Sequence, residues 1–123
     1  MKFTIENKDK HTLVVSEVEK LDAQHAPDLK SELVIISKNG VKNIVLDLEK
    51  SRYCDSSGLS AILVGNRLCK ESGGTFVICN LQDSVSKLIS ISQLNSVLNI
   101  TPTVSEAVDL IMMEEVGKDV GGE

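Results

Sequence analysis

The stretch Tyr53-Cys54-Asp55-Ser56-Ser57-Gly58-Leu59 places a thiol, a carboxylate and two hydroxyls at four consecutive positions. Three chemistries are open to it. Serine and aspartate side chains accept hydrogen bonds from the free amides at a helix start, so the block can be a cap and nothing more. A serine can also act as a nucleophile. The flanks do not form G-x-S-x-G, however, and the sequence offers only His25 as a base. The third chemistry is phosphorylation. The amides and dipole of a helix N-terminus favour a phosphate, which would add roughly -1.5 to -2 charge and three acceptor oxygens beside Asp55. On an exposed docking face that charge abolishes an interface by repulsion and desolvation, with little refolding. These residues alone do not choose between capping and phosphorylation.

The remaining reactive side chains are dispersed. Cys54, Cys69 and Cys79 are odd in number and form no C-x-x-C, which suits free thiols in a reducing compartment. Cys54 reads as a small buried hydrophobe. His11 and His25 lie in different elements without ligand spacing. The glycines make neither G-x-G-x-x-G nor a P-loop, and Gly73-Gly74 reads as a helix stop. No catalytic residue, metal site or cofactor is assigned, and the chain is not read as an enzyme.

The elements around this block alternate between strand and helix patterns. Thr12–Val18 is rich in β-branched residues and reads as a strand, with Phe3–Ile5 as a short partner. Leu29, Leu33 and Ile36 recur at helical spacing, and Asn39-Gly40 is a stop. A start near Ala26 suits Pro27 at the first helical position, whereas a cap at Asp22 would bury the proline too deep in the helix. Asn43–Leu48 is almost wholly apolar, the pattern of a strand buried on both faces of a parallel sheet. Ser57–Ser72 reads as a helix, apolar nearly all round. Thr75–Cys79 reads as a strand, Asp83 as the cap of a short helix, and Val97–Ile100 as a last short strand. Thr103-Val-Ser-Glu106 fits a capping box, followed by Val104, Ala107, Val108, Ile111 and Met112 on one helical stripe. The pattern predicts a single α/β domain over 1–115, with a small mixed sheet of four to five strands and about four helices. Residues 116–123 read as a flexible acidic tail.

Composition excludes several function classes. The chain has 123 residues, 41% hydrophobic and 25% charged, as in an ordinary soluble domain. Its net charge of -5 argues against binding nucleic acid or anionic membranes. Much of that charge is local, because Glu114–Glu123 holds four acids and one lysine. With no Trp, one Tyr and two Phe, no aromatic platform for single-stranded nucleic acid exists. No apolar run approaches the roughly 20 residues of a membrane span. Met1–Lys10 has no signal-peptide pattern, so the expected compartment is the cytoplasm.

At the Asp55-Ser-Ser-Gly-Leu59 block the chain resembles the STAS-domain family, and within it the bacterial anti-sigma factor antagonists. Leu21-Asp22, Ile44–Leu48, Ser72–Ile78 and Leu94 also fit, so the resemblance runs from about Phe3 to Met113. It implies a small sheet with helices mainly on one face, and a role in partner switching. Such an antagonist, unphosphorylated, binds an anti-sigma factor that is also a serine kinase, and thereby frees a sigma factor. Phosphorylation of one serine releases it, and a serine phosphatase restores it. The phosphoacceptor maps onto Ser56, with Ser57 as the alternative. The family's loop aspartate, near the switch serine, maps onto Asp22, whose other reading is a helix cap. Two departures concern glycines: Glu19-Lys20 stands where the family often has one, and Ser92 or Gln93 replaces another before the last strand.

Asp22, Asp55, Ser57, Gly58, Leu59, Ile62 and Leu63 form the expected switch surround and partner-binding group. The apolar surface of the central helix exceeds what one sheet needs. One of Leu59, Ile62 or Leu63 is therefore expected at the partner surface beside Ser56, the alternative being that all three are core. The main rival function is a non-switching STAS subunit bound to the ATPase of a membrane-transport complex. A nucleotide- or lipid-binding STAS domain is a weaker rival, since nothing forms a phosphate cradle.

Overall fold

In the computed structural model, which describes residues 2–121, the first two strands fold back on each other. β1 (Phe3–Asn7) and β2 (Thr12–Ser16) pair antiparallel, Phe3 opposite Ser16 and Asn7 opposite Thr12. Parallel partners follow: β4 (Ile44–Asp47), β6 (Phe76–Cys79) and β7 (Asn99–Thr101), giving the order β1-β2-β4-β6-β7. The apolar run expected to be buried on both faces is the central strand β4, where Ile44, Val45 and Leu46 have no exposed surface.

Strand alternation divides the core in two. Val14, Leu46 and Ile78 pack on one face beneath α1 (Ala26–Lys38), α2 (Ser56–Glu71) and α3 (Asp83–Ile91). Leu13, Val45 and Val77 form a row on the other face, covered by Ala107 and Ile111 of α4 (Val104–Gly121). Three helices on one face and one on the other match the expected arrangement.

The local details revise several readings. α1 begins at Ala26 with Pro27 in its first turn, and its N-cap is His25. Asp22 therefore does not cap this helix. α2 begins at Ser56, one residue earlier than expected. Asp83 is the first residue of α3 rather than its cap; the N-cap is Gln82, without a side-chain bond. The last strand lies at Asn99–Thr101, shifted from Val97–Ile100. At the start of α4, Thr103 Oγ1 accepts from the Glu106 amide at 3.2 Å, which is the first half of the expected capping box. The Glu106 carboxylate takes the Thr103 hydroxyl rather than a backbone amide. On α4, Leu110 joins the buried stripe while Met112 is exposed. The helix continues through Gly121, so 116–121, read as a tail without pattern, are helical. Residues 122 and 123 lie outside the described residues.

Three helices end in one motif, in which the two residues past the cap bond back to the last turn. After α1, the amides of Gly40 and Val41 reach Ser37 and Ile36; after α2, those of Gly73 and Gly74 reach Lys70 and Cys69. After α3, Gln93 and Leu94 donate to Ser90 and Ile89, both at 3.0 Å. The motif needs a left-handed residue, supplied by Gly40, Gly73 and, at φ 60°, Gln93. Of the two residues that stand where the family has a glycine, Ser92 and Gln93, it is Gln93 that occupies a glycine conformation.

Candidate functional site

The region around the Asp55–Leu59 block is built on a feature without a sequence signal. β3 (Lys20–Leu21) and β5 (Tyr53–Cys54) form a separate two-residue parallel ladder, Lys20 opposite Tyr53 and Leu21 opposite Cys54. The next residues on the two strands are Asp22 and Asp55, and the Asp55 amide donates to the Leu21 carbonyl at 3.3 Å. The ladder therefore brings together two aspartates that lie far apart in sequence.

Asp55 is the N-cap of α2. Its backbone is extended, and its Oδ1 accepts from the Gly58 amide at 3.0 Å. The block between strand and helix thus includes the expected cap, supplied by the aspartate. Both serines fall inside the helix, Ser56 at its first position and Ser57 at its second. Gly58 is required for a separate reason. A Cβ there would lie 2.1 Å from the Leu21 carbonyl oxygen and 2.8 Å from the Cys54 sulfur. Only a glycine lets the first turn of α2 approach β3 this closely.

Ser56 is exposed, and its hydroxyl has no protein hydrogen-bond partner among the described residues. With the half-buried Ser57 and with Ser60, it lines an open hollow of about 320 Å³ between α1 and α2. Ala23, Ala26, Pro27 and Lys30 form the other wall. Asp22 sits just outside, where its Oδ1 accepts from the Gln24 amide at 3.1 Å and lies 3.2 Å from His25 Nδ1. That ring nitrogen is 2.8 Å from the Lys20 carbonyl, to which it can only donate. His25 is thus engaged with the β3 turn and does not line the hollow, so it is not placed as a base for Ser56. Asp22 caps the turn ahead of α1, not the helix.

Of the three apolar side chains expected to offer a partner surface, two are core. Leu59 and Ile62 belong to the core, at 7% and 0% exposed, so neither reaches the surface beside Ser56. The apparent excess of apolar surface on α2 is consumed by packing against both α1 and the sheet. Leu63 is half-buried at the edge of that cluster. The exposed apolar side chain near the site is Tyr53, three residues before Ser56 and 48% exposed. Alternation along β5 buries Cys54 and turns Tyr53 outward. Tyr53 and Lys30 were not singled out from sequence. Lys30 follows Ala26 by one helical turn, which alone would place them on one face.

The cysteines offer no reactive thiolate. Burial pushes Cys54, Cys69 and Cys79 each up to about 12, aided at Cys54 by Asp55 and at Cys79 by Asp47 and Glu49. Among the described residues no group of three or more His, Cys, Asp or Glu could hold a metal ion. No helix among them is long and apolar enough to cross a membrane.

Comparison with known proteins places this geometry in a family. The STAS domain model matches residues 3–107. The anti-sigma F factor antagonist of Paenibacillus polymyxa is 32% identical over 65 residues, 53% of this chain and 56% of that protein. The anti-sigma-B factor antagonist of Bacillus subtilis is 27% identical over 81 residues, 66% of this chain and 73% of that protein. The chain thus spans little more than half the length of the first of these relatives. Among solved structures, the Bacillus cell fate determinant SpoIIAA in its phosphorylated form superposes with a TM-score of 0.69 at 20% identity, covering 89% of this chain and 98% of that one. At that identity the likeness shows the fold. The match over most of the chain, together with the shared fold, makes this protein a member of the STAS domain family.

Proposed function

We propose that the protein is an anti-sigma factor antagonist that works by partner switching, with Ser56 as the switch. In the unphosphorylated form it binds, in the cytoplasm, an anti-sigma factor that is also a serine kinase, and a sigma factor is freed. The kinase transfers the γ-phosphoryl of ATP to Ser56 Oγ. The new O–P bond forms as the bond to ADP breaks, and the hydroxyl proton is lost. The added charge ends binding, and a serine phosphatase restores the antagonist by hydrolysis. Ser57 is the weaker acceptor, because it is half-buried while Ser56 is exposed.

One observation carries this reading. Ser56 is an exposed hydroxyl, unpartnered among the described residues, on a backbone fixed at three points: the Asp55 cap, the Asp55–Leu21 bond and the close approach of Gly58 to Leu21. Phosphate can be added there without breaking any protein hydrogen bond, so the modification acts on docking and not on folding. The docking face includes Tyr53, the half-buried Leu63 and the Asp22 turn.

Affinity capture from the native cell lysate tests it, with wild type, Ser56→Ala and Ser56→Glu as baits and mass spectrometry as readout. Wild type and the alanine variant are expected to capture an ATP-binding serine kinase, and the glutamate variant to lose it. Phosphate is expected on wild type and not on the alanine variant. Capture of a transporter ATPase by all three baits, or of the kinase by the glutamate variant as well, would overturn the switching reading.

A further inference from the structure

The hollow beside Ser56 contains one charged side chain. Lys30 is half-buried in its wall, and among the described residues it makes no ion pair and no side-chain hydrogen bond. The acids at the starts of α1 and α2 are engaged elsewhere. Asp28 pairs with Lys2 at 2.7 Å, Asp22 faces His25, and Asp55 is turned to the Gly58 amide. A lysine left unpaired in a hollow of small side chains (Ala23, Ala26, Ser57, Ser60) leaves room for an anion next to the Ser56 hydroxyl.

We propose that Lys30 is the intramolecular counter-ion of a phosphate on Ser56, so that the phosphate lies in the hollow between α1 and α2 instead of projecting into solvent. This rests on the reading of Ser56 as the modified residue. The consequence is a reversal of charge at one spot. The hollow carries one positive charge before modification. Afterwards it is net negative, since a phosphoserine brings roughly -1.5 to -2. A partner docking across α1 and α2 therefore loses a cation as well as meeting an anion. The phosphate also ties the two helices together, so the released form is held in one conformation. Lys30 has no role in transferring the phosphate and is a positioning residue.

The test uses full-length protein carrying phosphoserine at 56, installed during translation, so that it does not depend on any kinase. Phosphorus NMR titration gives the second ionisation of the phosphate in wild type, Lys30→Gln and Lys30→Arg. Asp55 and the Asp22–His25 pair are present in all three proteins and cancel in the comparison. The phosphate is expected to ionise at a pH about half a unit or more lower in wild type than in Lys30→Gln, with Lys30→Arg close to wild type. A second readout requires no variant: the Lys30 side-chain carbon next to the ammonium should shift on phosphorylation of Ser56, relative to the same protein with serine. Equal titration of all three proteins, with an unmoved Lys30 resonance, would overturn the proposal. A failure of the switching reading itself would show differently, as a Ser56 that no kinase in the lysate modifies.

Discussion

Ser51 and Ser56 are five residues apart and chemically identical, yet the fold treats them in opposite ways. Ser51 is completely buried; its hydroxyl donates to the Val18 carbonyl and accepts from Ser16, both at 2.8 Å. It ties the loop after β4 to the end of β2, and this sets the approach of β5 to β3. Ser56 is exposed and its hydroxyl is unpartnered among the described residues. A buried hydroxyl must be saturated, because an unmade bond costs the full desolvation of the group. The hydroxyl proposed as the modified group is instead free and reachable, on a backbone that does not depend on it. The first serine builds the frame and the second is presented by it.

The comparison can be broken most severely through the frame. Gly58→Ala drives a Cβ into the Leu21 carbonyl, and the backbone on both sides cannot yield. Urea denaturation should show a loss of about 3 kcal/mol or more. A neutral result would mean that the β3–β5 ladder is not what holds the start of α2.

The pair itself comes next. Ser51→Ala strands the Val18 carbonyl and the Ser16 hydroxyl in the core, and should cost about 1–3 kcal/mol. Ser56→Ala, measured alongside, should stay within about 0.5 kcal/mol of wild type. Equal losses for the two would erase the distinction between a framing and a presented serine.

Gln93→Gly provides a contrast distant in sequence from both. Gln93 adopts the conformation that costs an L-residue about 1–2 kcal/mol, so glycine there should raise stability by about 1 kcal/mol after its own entropy is counted. A loss would mean that the Gln93 side chain contributes more than its backbone strain.

The smallest effect on stability is expected from Asp22→Asn, within about 0.5 kcal/mol, because asparagine can still accept from the Gln24 amide. Its effect should appear instead as slower phosphorylation of Ser56 in an initial-rate assay with the captured kinase. Unfolding without a change in rate would assign Asp22 to the turn alone.

Much of this was legible in the sequence because it is local or periodic. The unbroken apolar run at Ile44–Leu46 implied a strand covered on both faces, and β4 is the central strand. Pro27 fixed the start of α1, and Gly40 and Gly73 fixed where two helices stop, since these residues restrict or permit particular backbone angles. The Asp55-Ser-Ser-Gly block announced a helix start, and the family resemblance, not its composition, nominated Ser56. Burial was less legible. Nothing in the order of residues separates Leu59 and Ile62, which are core, from Leu63 at its edge, because α2 faces both α1 and the sheet.

The sequence by itself determined the main elements and their order, through periodicity, capping and turn chemistry that act over a few residues, and its family resemblance supplied the candidate switch. Only the tertiary structure decided which side chains surround that switch. A two-residue ladder between Lys20–Leu21 and Tyr53–Cys54 has no periodicity to read, and it exists only because distant segments meet. From it follow the neighbouring aspartates, the need for glycine at 58 and the outward turn of Tyr53. The packing of α1 on α2, equally non-local, puts Lys30 beside Ser56.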